Sequence, residues 1–428
     1  MNILLISTYD LGRQPFGLAS PAAWLRRDGH QVACADLAVA ALSESAVRDA
    51  NVVAFFLPMH TATRLALPVI DRVKRLNPRA RLIGYGLYAP PSAAALREHG
   101  VDAVAGGEFE AELVKFARGE STTEISLERL EFITPDRTGL DGAYARLRIP
   151  GGAAGETSRQ VAYTEASRGC KHLCRHCPVV PIYQGNFRVV QRDVVLDDIR
   201  QQVAAGAQHV TFGDPDFFNG PTHAMRIVEE LHREFPFVTY DATIKIEHLL
   251  KHRDLLPGLR DTGCLFVISA VESVDDQVLE RLEKHHTRRD FYAVAALMRD
   301  AGLTLQPTFI PFTPWSTLAG YRDLLRAIAE LNLVENVAPI QLALRLLVTA
   351  GSRLHELPEF AVSSEWSNPD PAVEMLHQRI FGIVAARQKQ TTSRTAIFSE
   401  ICAAAGFEPS PALLPRAAVP YLNEPWYC

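Results

Sequence analysis

The 428-residue sequence predicts an α/β protein with two parallel sheets built one after the other, and three observations predict it. Strand-like apolar runs alternate with helix-like segments over residues 1–120 and again over residues 160–350. A polar stretch with prolines and several glycines, residues 121–159, has the composition of a linker between them. Residues 351–428 form a helical and then proline-rich extension. A chain of this length is typical of two or three domains.

Five βα units in residues 1–120 predict a flavodoxin-like sheet, whose ligands bind at the carboxyl ends of the strands. We predict strands at residues 2–7, 31–34, 52–57, 81–85 and 103–104, with helices at 18–27, 62–76 and 92–99. The second of these helices ends where Asn77 and Pro78 interrupt its pattern. Ligands are expected near the loops 8–16, 58–61, 84–86 and 106–108. One short helix is expected in the linker, at residues 127–130.

Residues 160–350 predict six βα repeats, two fewer than a complete barrel of eight. The predicted strands are 161–166, 209–213, 238–243, 265–270, 303–309 and 340–346. The predicted helices are 194–205, 223–235, 275–283, 289–301 and 321–331, and a further helix is predicted at 372–388. Active groups are again expected where the strands end.

Composition excludes several functional classes. Hydrophobic residues make up 47% of the chain and charged residues 22%, which is ordinary for a soluble protein with more than one core. A net charge of −5 without a basic stripe argues against nucleic acid as a partner. Residues 1–7 lack the basic start and cleavage site of a signal peptide, and no apolar run reaches membrane-spanning length. We therefore expect a cytoplasmic protein with reduced thiols and no membrane partner.

Three of the seven cysteines, Cys170, Cys174 and Cys177, follow the first strand of the second half with the spacing C-x3-C-x2-C. Three thiolates on one loop can converge on a single soft metal centre. Closed zinc and electron-transfer sites usually have four protein ligands, so three cysteines indicate a cluster with one iron open to a substrate. The alternative is a zinc site completed by His172 or His176. A disulfide framework is disfavoured because the cysteines are few and odd in number.

The sequence EASRGC at residues 165–170, which leads into the cysteines, resembles the radical S-adenosylmethionine (SAM) superfamily. It is similar to the version found behind cobalamin-binding-like domains. The resemblance implies a [4Fe–4S] cluster on Cys170, Cys174 and Cys177, an open partial (β/α)6 barrel of the TIM type, and reductive cleavage of SAM. It also implies a small-molecule substrate and an electron donor such as flavodoxin or ferredoxin.

The first half resembles cobalamin-binding domains, including their Gly-Glu ending, which is written here as GGE at residues 106–108. The first loop, residues 8–13, lacks the Asp-x-His-x-x-Gly motif that supplies a histidine ligand to cobalt. Cobalamin-dependent radical SAM enzymes often lack that histidine as well, so cobalamin stays open. The alternative is a pocket that is vestigial or binds substrate. His60, on the next loop, is interpreted as a solvated histidine.

Two carboxylates, Asp214 and Asp216, flank Pro215 after the second strand of the second half, next to Gly213. Gly213 would let a ligand approach the backbone. In the superfamily this position holds the acidic motif that receives the amino group of SAM, and an ammonium needs such acceptors. The alternative interpretation is a solvated turn.

Further SAM contacts are implied after later strands. Glu272 and Ser273 resemble the Glu-Ser stretch whose glutamate accepts hydrogen bonds from ribose hydroxyls, although Ala270 replaces the usual glycine. The alternative is helix capping by Ser273. Lys245 and Arg345, each within or just beyond a strand, are candidates for binding the SAM carboxylate, and the sequence does not separate them. No catalytic residue is assigned, although an ionisable group at residues 241–248 or a loop histidine could act as a general acid.

The fuller match, at residues 174–181 and 212–217, resembles the radical SAM family whose members end in a CUAEP or CCAEP tail. This sequence stops on Cys428, where that tail would begin. One hypothesis is that a selenocysteine codon ended the reading frame, and the alternative is an ordinary terminus.

The sequence therefore predicts a radical SAM enzyme that modifies an unidentified small molecule, with methyl or 3-amino-3-carboxypropyl transfer as two options. The alternatives are a non-catalytic zinc-binding module with a regulatory α/β domain, and a corrinoid sensor.

Overall fold

The computed structural model describes residues 1–142, 144–149, 157–388, 392–408 and 419–422. Within these ranges it contains two large sheets, which confirm the predicted α/β class. The first is a parallel sheet with helices on both faces, and the second is a curled half-barrel. Among the described residues, no helix combines the length and the apolar character that crossing a bilayer requires.

The first sheet has six parallel strands. They are β1 (Asn2–Ser7), β2 (Gln31–Asp36), β3 (Val52–Phe56), β4 (Arg81–Tyr85), β5 (Ala103–Gly107) and β6 (Ile125–Ser126). Their order is β2-β1-β3-β4-β5-β6, so the first five follow the flavodoxin-like arrangement. The direction of winding changes between β1 and β3, which places a ligand crevice at the loops that follow these two strands.

Five helices cover this sheet: α1 (Phe16–Arg27), α2 (Glu44–Asp49), α3 (His60–Leu76), α4 (Ala93–Glu98) and α5 (Phe109–Arg118). The apolar periodicity that predicts helix α3 comes from its buried residues Ala62, Ala66, Ile70 and Val73, which recur every three or four positions. Helices α2 and α5 were not predicted. Gly106 and Gly107, which the sequence assigns to a loop, are instead the last residues of β5, and only Glu108 separates β5 from α5.

The helix predicted at residues 127–130 is wrong, since this segment is irregular. Its backbone groups have tertiary partners instead. The Ser126 carbonyl accepts a hydrogen bond from the Glu108 backbone N–H at 2.8 Å, and the Leu127 carbonyl accepts one from Arg188 at 2.6 Å. Carbonyls held by distant donors in this way leave no helical ladder to form.

The strands of the second half are, in chain order, β7 (Arg146–Ile149), β8 (Thr157–Thr164), β9 (Ser167–Gly169), β10 (Phe187–Val189), β11 (His209–Phe212), β12 (Thr239–Thr243), β13 (Cys264–Glu272), β14 (Thr304–Phe309) and β15 (Tyr421–Leu422). Seven of them form the second sheet, in the order β14-β13-β12-β11-β8-β7-β15. Strands β8 and β11 to β14 are parallel, whereas β7 and β15 form an antiparallel margin. Strands β9 and β10 form a separate antiparallel pair.

The sixth strand predicted at residues 340–346 is wrong. The segment begins with a 3-10 turn, Pro339–Leu342, and only an isolated bridge between Phe312 and Arg345 remains of the expected pairing. At the end of β14, the Phe309 backbone N–H donates to the Gln341 side chain at 3.1 Å. A side-chain acceptor therefore stands where a sixth strand would supply a carbonyl.

Ten helices belong to the rest of the described chain: α6 (Val180–Tyr183), α7 (Arg192–Ala204), α8 (Pro221–Glu234), α9 (Ile246–Lys251), α10 (Leu256–Asp261), α11 (Asp276–Arg281), α12 (Arg288–Asp300), α13 (Leu318–Glu330), α14 (Pro371–Gln388) and α15 (Arg394–Ala404). Helices α6, α9, α10 and α15 were not predicted. Ile380 and Val384 of α14 and Ile397 and Ile401 of α15 belong to the same apolar core as the half-barrel. The proline-rich segment and Cys428 lie largely outside the described residues.

Candidate functional site

The cysteine loop, residues 170–177, begins at the end of β9. Gly169, the last residue of β9, has a φ of +73°, and a Cβ there would lie 2.3 Å from the Asn186 carbonyl oxygen. Glycine is therefore required at the turn that carries the chain into Cys170. Cys170 and Cys174 are buried, with 8% and 6% of their surface exposed.

The three thiols of the loop influence one another. Burial, together with the neighbouring Cys174 and Cys170, raises the pKa of the Cys177 thiol to about 12. All cysteines among the described residues are free. Such buried thiols form thiolates only with positive charge or a metal nearby. A soft metal centre fits this donor set.

Two lysines supply positive charge next to these thiols. The Lys245 ammonium lies 3.8 Å from the Cys174 sulfur. The Lys284 ammonium lies 3.3 Å from Glu272, whose same oxygen contacts His176 of the loop. Burial lowers the pKa of Lys284, but Glu272 and the thiols of Cys174 and Cys177 raise it above its usual value. The arrangement fits a cluster held by three thiolates, since ammonium groups offset the charge of the ligands.

Glu272 lies at the end of β13 in the left-handed region, with a φ of +67°. Its carboxylate accepts hydrogen bonds from Lys284 at 3.3 Å and His176 at 3.1 Å. Burial alone would raise the pKa of Glu272, but Lys284 and His176 lower it to about 2. The predicted ribose-binding residue is therefore a buried, ionised acceptor beside the cysteine loop. Ser273 accepts the Asp275 backbone N–H at 3.0 Å, but it does not cap α11. The cap is Asp275, whose carboxylate accepts the Gln277 backbone N–H at 2.9 Å.

Asp214 and Asp216 have different surroundings. Asp214 accepts hydrogen bonds from the Ala166 backbone N–H at 2.9 Å and from the Ser167 hydroxyl, so it supports the start of β9. Burial raises the pKa of Asp214 to about 7. Asp216 accepts the Phe218 backbone N–H at 3.3 Å and begins a 3-10 turn. Their use by the amino group of SAM stays a prediction.

The two candidates for the SAM carboxylate are separated by the structure. Lys245 reaches Cys174, as described above. Arg345 instead forms a two-point ion pair with Glu374 of α14, at 2.6 and 2.9 Å, and donates to the Trp366 carbonyl at 2.8 Å. To bind the SAM carboxylate, Arg345 would have to break its ion pair with the Glu374 carboxylate, which has the same charge and geometry as the SAM carboxylate.

A cavity of about 220 Å³ lies between the carboxyl edges of the two sheets. Asp10 and Pro58 line it from the loops after β1 and β3, and Tyr163, Ser167 and Pro215 line it from the half-barrel. The ligand loops predicted for both halves thus meet at one cavity. The sequence predicts that a ligand approaches the backbone at Gly213. In the structure the Tyr163 ring occupies that space, because a Cβ at residue 213 would lie 1.9 Å from its hydroxyl oxygen. His60 is exposed at the start of α3, as expected.

Arg168 joins the two sheets beside this cavity. Its buried guanidinium donates to Glu110 at 2.6 and 2.8 Å, to Glu108 at 3.3 Å and to Glu165 at 2.8 Å. The ring of Phe109 lies 5.1 Å from its central carbon. Burial raises the pKa of Glu108 to about 7 in spite of the guanidinium. The GGE ending of the first sheet is therefore tied to the strand that carries the cysteines.

Sequence reasoning missed the contacts of Arg168 and Lys284. Arg168 lies in β9, two residues before Cys170, so its signal was a cationic side chain close to the cysteines in sequence. Lys284 follows α11, more than a hundred residues further along the chain, and no local pattern marks it. Positive charge nearby is what buried thiols need to become thiolates.

The chain is similar to known proteins over part of its length. Residues 164–325 match the family model described as the Radical SAM superfamily. The chain is 24% identical over 337 residues to the hopanoid C-3 methylase of Methylococcus capsulatus, covering 73% of this chain and 64% of that protein. It is 26% identical over 192 residues to the ribosomal protein uS12 methylthiotransferase RimO of Parabacteroides distasonis, covering 41% and 43%. The chain thus spans less than two thirds of the length of these curated relatives.

Two solved structures share the fold. The radical SAM methyltransferase TsrM from Kitasatospora setae, with cobalamin and a [4Fe–4S] cluster bound, has a TM-score of 0.59 and 16% identity, covering 77% of this chain and 70% of that one. The cobalamin-dependent SAM radical enzyme OxsB with aqua-cobalamin has a TM-score of 0.58 and 14% identity, covering 89% and 61%. The family match contains all three loop cysteines and implies a [4Fe–4S] cluster and SAM as cofactors.

Proposed function

We propose that this protein is a radical SAM enzyme that transfers a methyl group to a small molecule. The observation that carries the proposal is the set of three free thiols on one loop, with the ammonium groups of Lys245 and Lys284 beside them. The loop adjoins the cavity between the sheets, since Gly169 and Val179 on either side of it line that cavity. A cofactor on the loop and a substrate in the cavity would then be neighbours.

Cys170, Cys174 and Cys177 would hold the [4Fe–4S] cluster. When bound, the cluster supplies the single electron that breaks a carbon–sulfur bond of SAM. Lys245 and Lys284 favour the thiolate form of the three ligands because their charge offsets that of the sulfurs. Lys245 is also the better placed of the two candidates for the SAM carboxylate, because Arg345 is committed to Glu374.

Glu272 would receive the hydroxyl groups of the SAM ribose. Its carboxylate stays ionised at neutral pH, since Lys284 and His176 lower the pKa of Glu272 to about 2. An ionised carboxylate accepts hydrogen bonds from hydroxyls more strongly than a neutral one. Its two present partners leave acceptor capacity on the carboxylate, which offers about four lone-pair sites.

Cobalamin would bind in the cavity between the sheets, where the winding of the first sheet changes direction. The fold shared with two cobalamin-bound structures supports this part of the proposal. The cavity of about 220 Å³ is smaller than the ~300–1,000 Å³ that drug-sized ligands occupy. A corrinoid would therefore require the cavity to widen, by movement of loops such as residues 8–16 and 58–61 relative to the half-barrel residues that line the other side.

Transfer of a 3-amino-3-carboxypropyl group is the second option. The relation to the family with a CUAEP or CCAEP tail is a separate part of the proposal. That relation is based on residues 174–181 and 212–217, and the end of the chain, residues 423–428, lies outside the described residues. An electron donor such as flavodoxin or ferredoxin would serve either reaction.

The test begins with anaerobic purification and reconstitution with iron and sulfide. We expect a brown protein with ~4 irons per chain and an electron paramagnetic resonance signal that changes when SAM is added. Reduction in the presence of SAM, followed by mass spectrometry, then identifies the adenosyl fragment. Methyl transfer gives S-adenosylhomocysteine or 5′-deoxyadenosine, whereas 3-amino-3-carboxypropyl transfer leaves methylthioadenosine.

Two outcomes would contradict the proposal. A colourless protein with stoichiometric zinc would favour the zinc-binding module. A protein that binds a corrinoid tightly and never cleaves SAM under reduction would favour the sensor. The Cys402→Ala variant is the matched control for the loop cysteines, because Cys402 is buried in α15, away from the loop, and should keep full iron content.

A further inference from the structure

Three side chains meet next to the cysteine loop without any cysteine among them. His172 belongs to the loop, Asp216 follows β11, and His248 lies in α9, the helix after β12. One potential ligand atom from each lies within 4.8 Å of the others. Two imidazoles and one carboxylate therefore converge from three separate elements of the half-barrel.

The spacing suits one small cation. The Nε2 atoms of His172 and His248 are 3.4 Å apart. Two nitrogens bound at ~2.05 Å to a tetrahedral zinc-like ion are separated by ~3.3 Å. An oxygen of Asp216, Oδ2, lies 3.7 Å from the same His172 nitrogen. Small side-chain rotations would place all three atoms at bonding distance from one ion.

Buried polar atoms at this place lack hydrogen bonds. Asp216 is fully buried, yet its Oδ2 makes no hydrogen bond of acceptable geometry among the described residues, and neither does Nδ1 of His248. The two atoms are 2.7 Å apart, so they approach each other closely at an unfavourable angle. A buried carboxylate oxygen without a partner is costly, typically ~1–3 kcal/mol or more. A bound cation would remove this cost.

The surrounding charges favour a cation as well. Glu247 Oε2 lies 3.6 Å from Nδ1 of His172, just beyond hydrogen-bond distance, and it makes no hydrogen bond among the described residues. A hydrogen bond from the second ring nitrogen to a carboxylate usually orients a metal-binding histidine, and a small rotation of Glu247 would form one. Lys245 lies 3.7 Å from Glu247 and 3.8 Å from the Cys174 sulfur, so one ammonium is shared between the carboxylate and the thiol. The carboxylates of Asp216 and Glu247 therefore keep excess negative charge near the two imidazoles.

We propose that His172, Asp216 and His248 bind one divalent transition-metal ion of the zinc, cobalt or iron(II) type. Imidazole nitrogens with one carboxylate select such ions over calcium or magnesium. Three protein ligands leave a coordination position open to water or another ligand. The ion would hold the cysteine loop against the carboxyl ends of β11 and β12. This site differs from a zinc site that uses the cysteines, and it assigns Asp216 to the ion instead of the SAM amino group.

Cobalt(II) is the probe, and the full-length protein is first reconstituted with iron and sulfide so that the cysteines are occupied. After treatment with a chelator, the protein is equilibrated with excess cobalt, and bound cobalt and iron are measured by elemental analysis. We expect about one cobalt per chain in addition to the iron. The cobalt X-ray absorption spectrum should show only nitrogen and oxygen neighbours, at ~2.0–2.2 Å.

The His248→Gln variant should lose at least tenfold in cobalt affinity while keeping its iron. His252→Gln is the matched control, since the His252 ring lies 5.8 Å from that of His248 and is outside the trio. If the first variant does not fold, Asp216→Asn, which preserves shape and removes the charge, should show the same loss. Wild-type protein that binds no cobalt, sulfur among the cobalt neighbours, or cobalt retained by a folded His248 or Asp216 variant would overturn the proposal.

Discussion

Two groups of buried charged side chains flank the cysteine loop, and they differ in the sign of their excess charge. The interdomain group consists of Arg168 with Glu108, Glu110 and Glu165. It has three carboxylates for one guanidinium, and burial with its neighbours raises the pKa of Glu108 to about 7. This group is closed by its own contacts and ties the two sheets together.

The lysine group, on the other side, consists of Lys245, Lys284 and Glu272, with the thiols next to them. It has two ammonium groups for one buried carboxylate. Glu247, 3.7 Å from Lys245, is 39% exposed and its charge is screened by water, so positive charge remains beside the thiols. Buried charge of one sign is retained only where a counter-charge is present or arrives. The interdomain group therefore stabilises the contact between the two sheets, whereas the lysine group can accommodate thiolates, a cluster and an anionic ligand.

Removing a thiol should give the largest effect, because the lysine group would lose the counter-charges for which it is arranged. In Cys174→Ala we expect iron content to fall from ~4 to below ~1 per chain and SAM cleavage to disappear. Iron analysis and product detection after anaerobic reconstitution measure both. Full iron content in this variant, equal to that of Cys402→Ala, would show that the lysine group does not accompany a cluster bound by the loop cysteines.

Replacing the arginine of the interdomain group should mainly cost stability. Arg168→Met leaves buried carboxylates without their partner, and we expect the free energy of unfolding to drop by about 3–5 kcal/mol. Denaturant titration of the apoprotein provides the measurement. Arg118→Met is the matched control, since the Arg118 side chain is 52% exposed in its pair with Asp28 and should matter far less. Equal losses in the two variants would show that the interdomain group does not hold the sheets.

The two candidates for the SAM carboxylate provide a sharper test of the lysine group. Lys245→Met should weaken SAM binding to the cluster-loaded protein by about tenfold, the typical value of one charge-assisted hydrogen bond. Arg345→Met should leave SAM affinity unchanged, because that guanidinium is paired with Glu374. Equilibrium dialysis with labelled SAM distinguishes them. Weaker SAM binding in Arg345→Met but not in Lys245→Met would indicate that the SAM carboxylate binds at Arg345, away from the cysteine loop.

The smallest expected effect is a pH dependence of the interdomain group. The folded-state pKa of Glu108, about 7, is above the value of ~4.3 for an unfolded chain. The folded protein therefore binds more protons between these values, and stability from this residue is present at low pH and is lost as pH rises toward 7. Glu108→Gln should make the decline of unfolding free energy between pH 5 and pH 7.5 shallower, by at most ~1.4 kcal/mol per pH unit, the limit for one proton.

Burial also raises the pKa of Asp214, to about 7. Asp214→Asn should therefore also make the decline of unfolding free energy with pH shallower. The two variants are compared with wild type by denaturant unfolding across this pH range. An unchanged slope in Glu108→Gln would mean that this carboxyl titrates normally.

Much of the fold was predictable because its signals are local. The first sheet follows from apolar runs such as residues 2–7 and 81–85, whose observed bounds match the prediction. The errors are at places where tertiary partners override local pattern, as at residues 127–130 and at 340–346, where Gln341 caps the end of β14.

The sequence by itself determined the alternation of strands and helices in the two halves and the grouping of three cysteines on one loop. These depend on residues a few positions apart, where helix and strand periodicity and loop spacing act directly. Only the tertiary structure decided that Lys245 and Lys284 face the thiols while Arg345 does not, and that Arg168 meets the acids of the first sheet. Contacts across such sequence separations depend on strand order and side-chain direction, which periodicity does not encode.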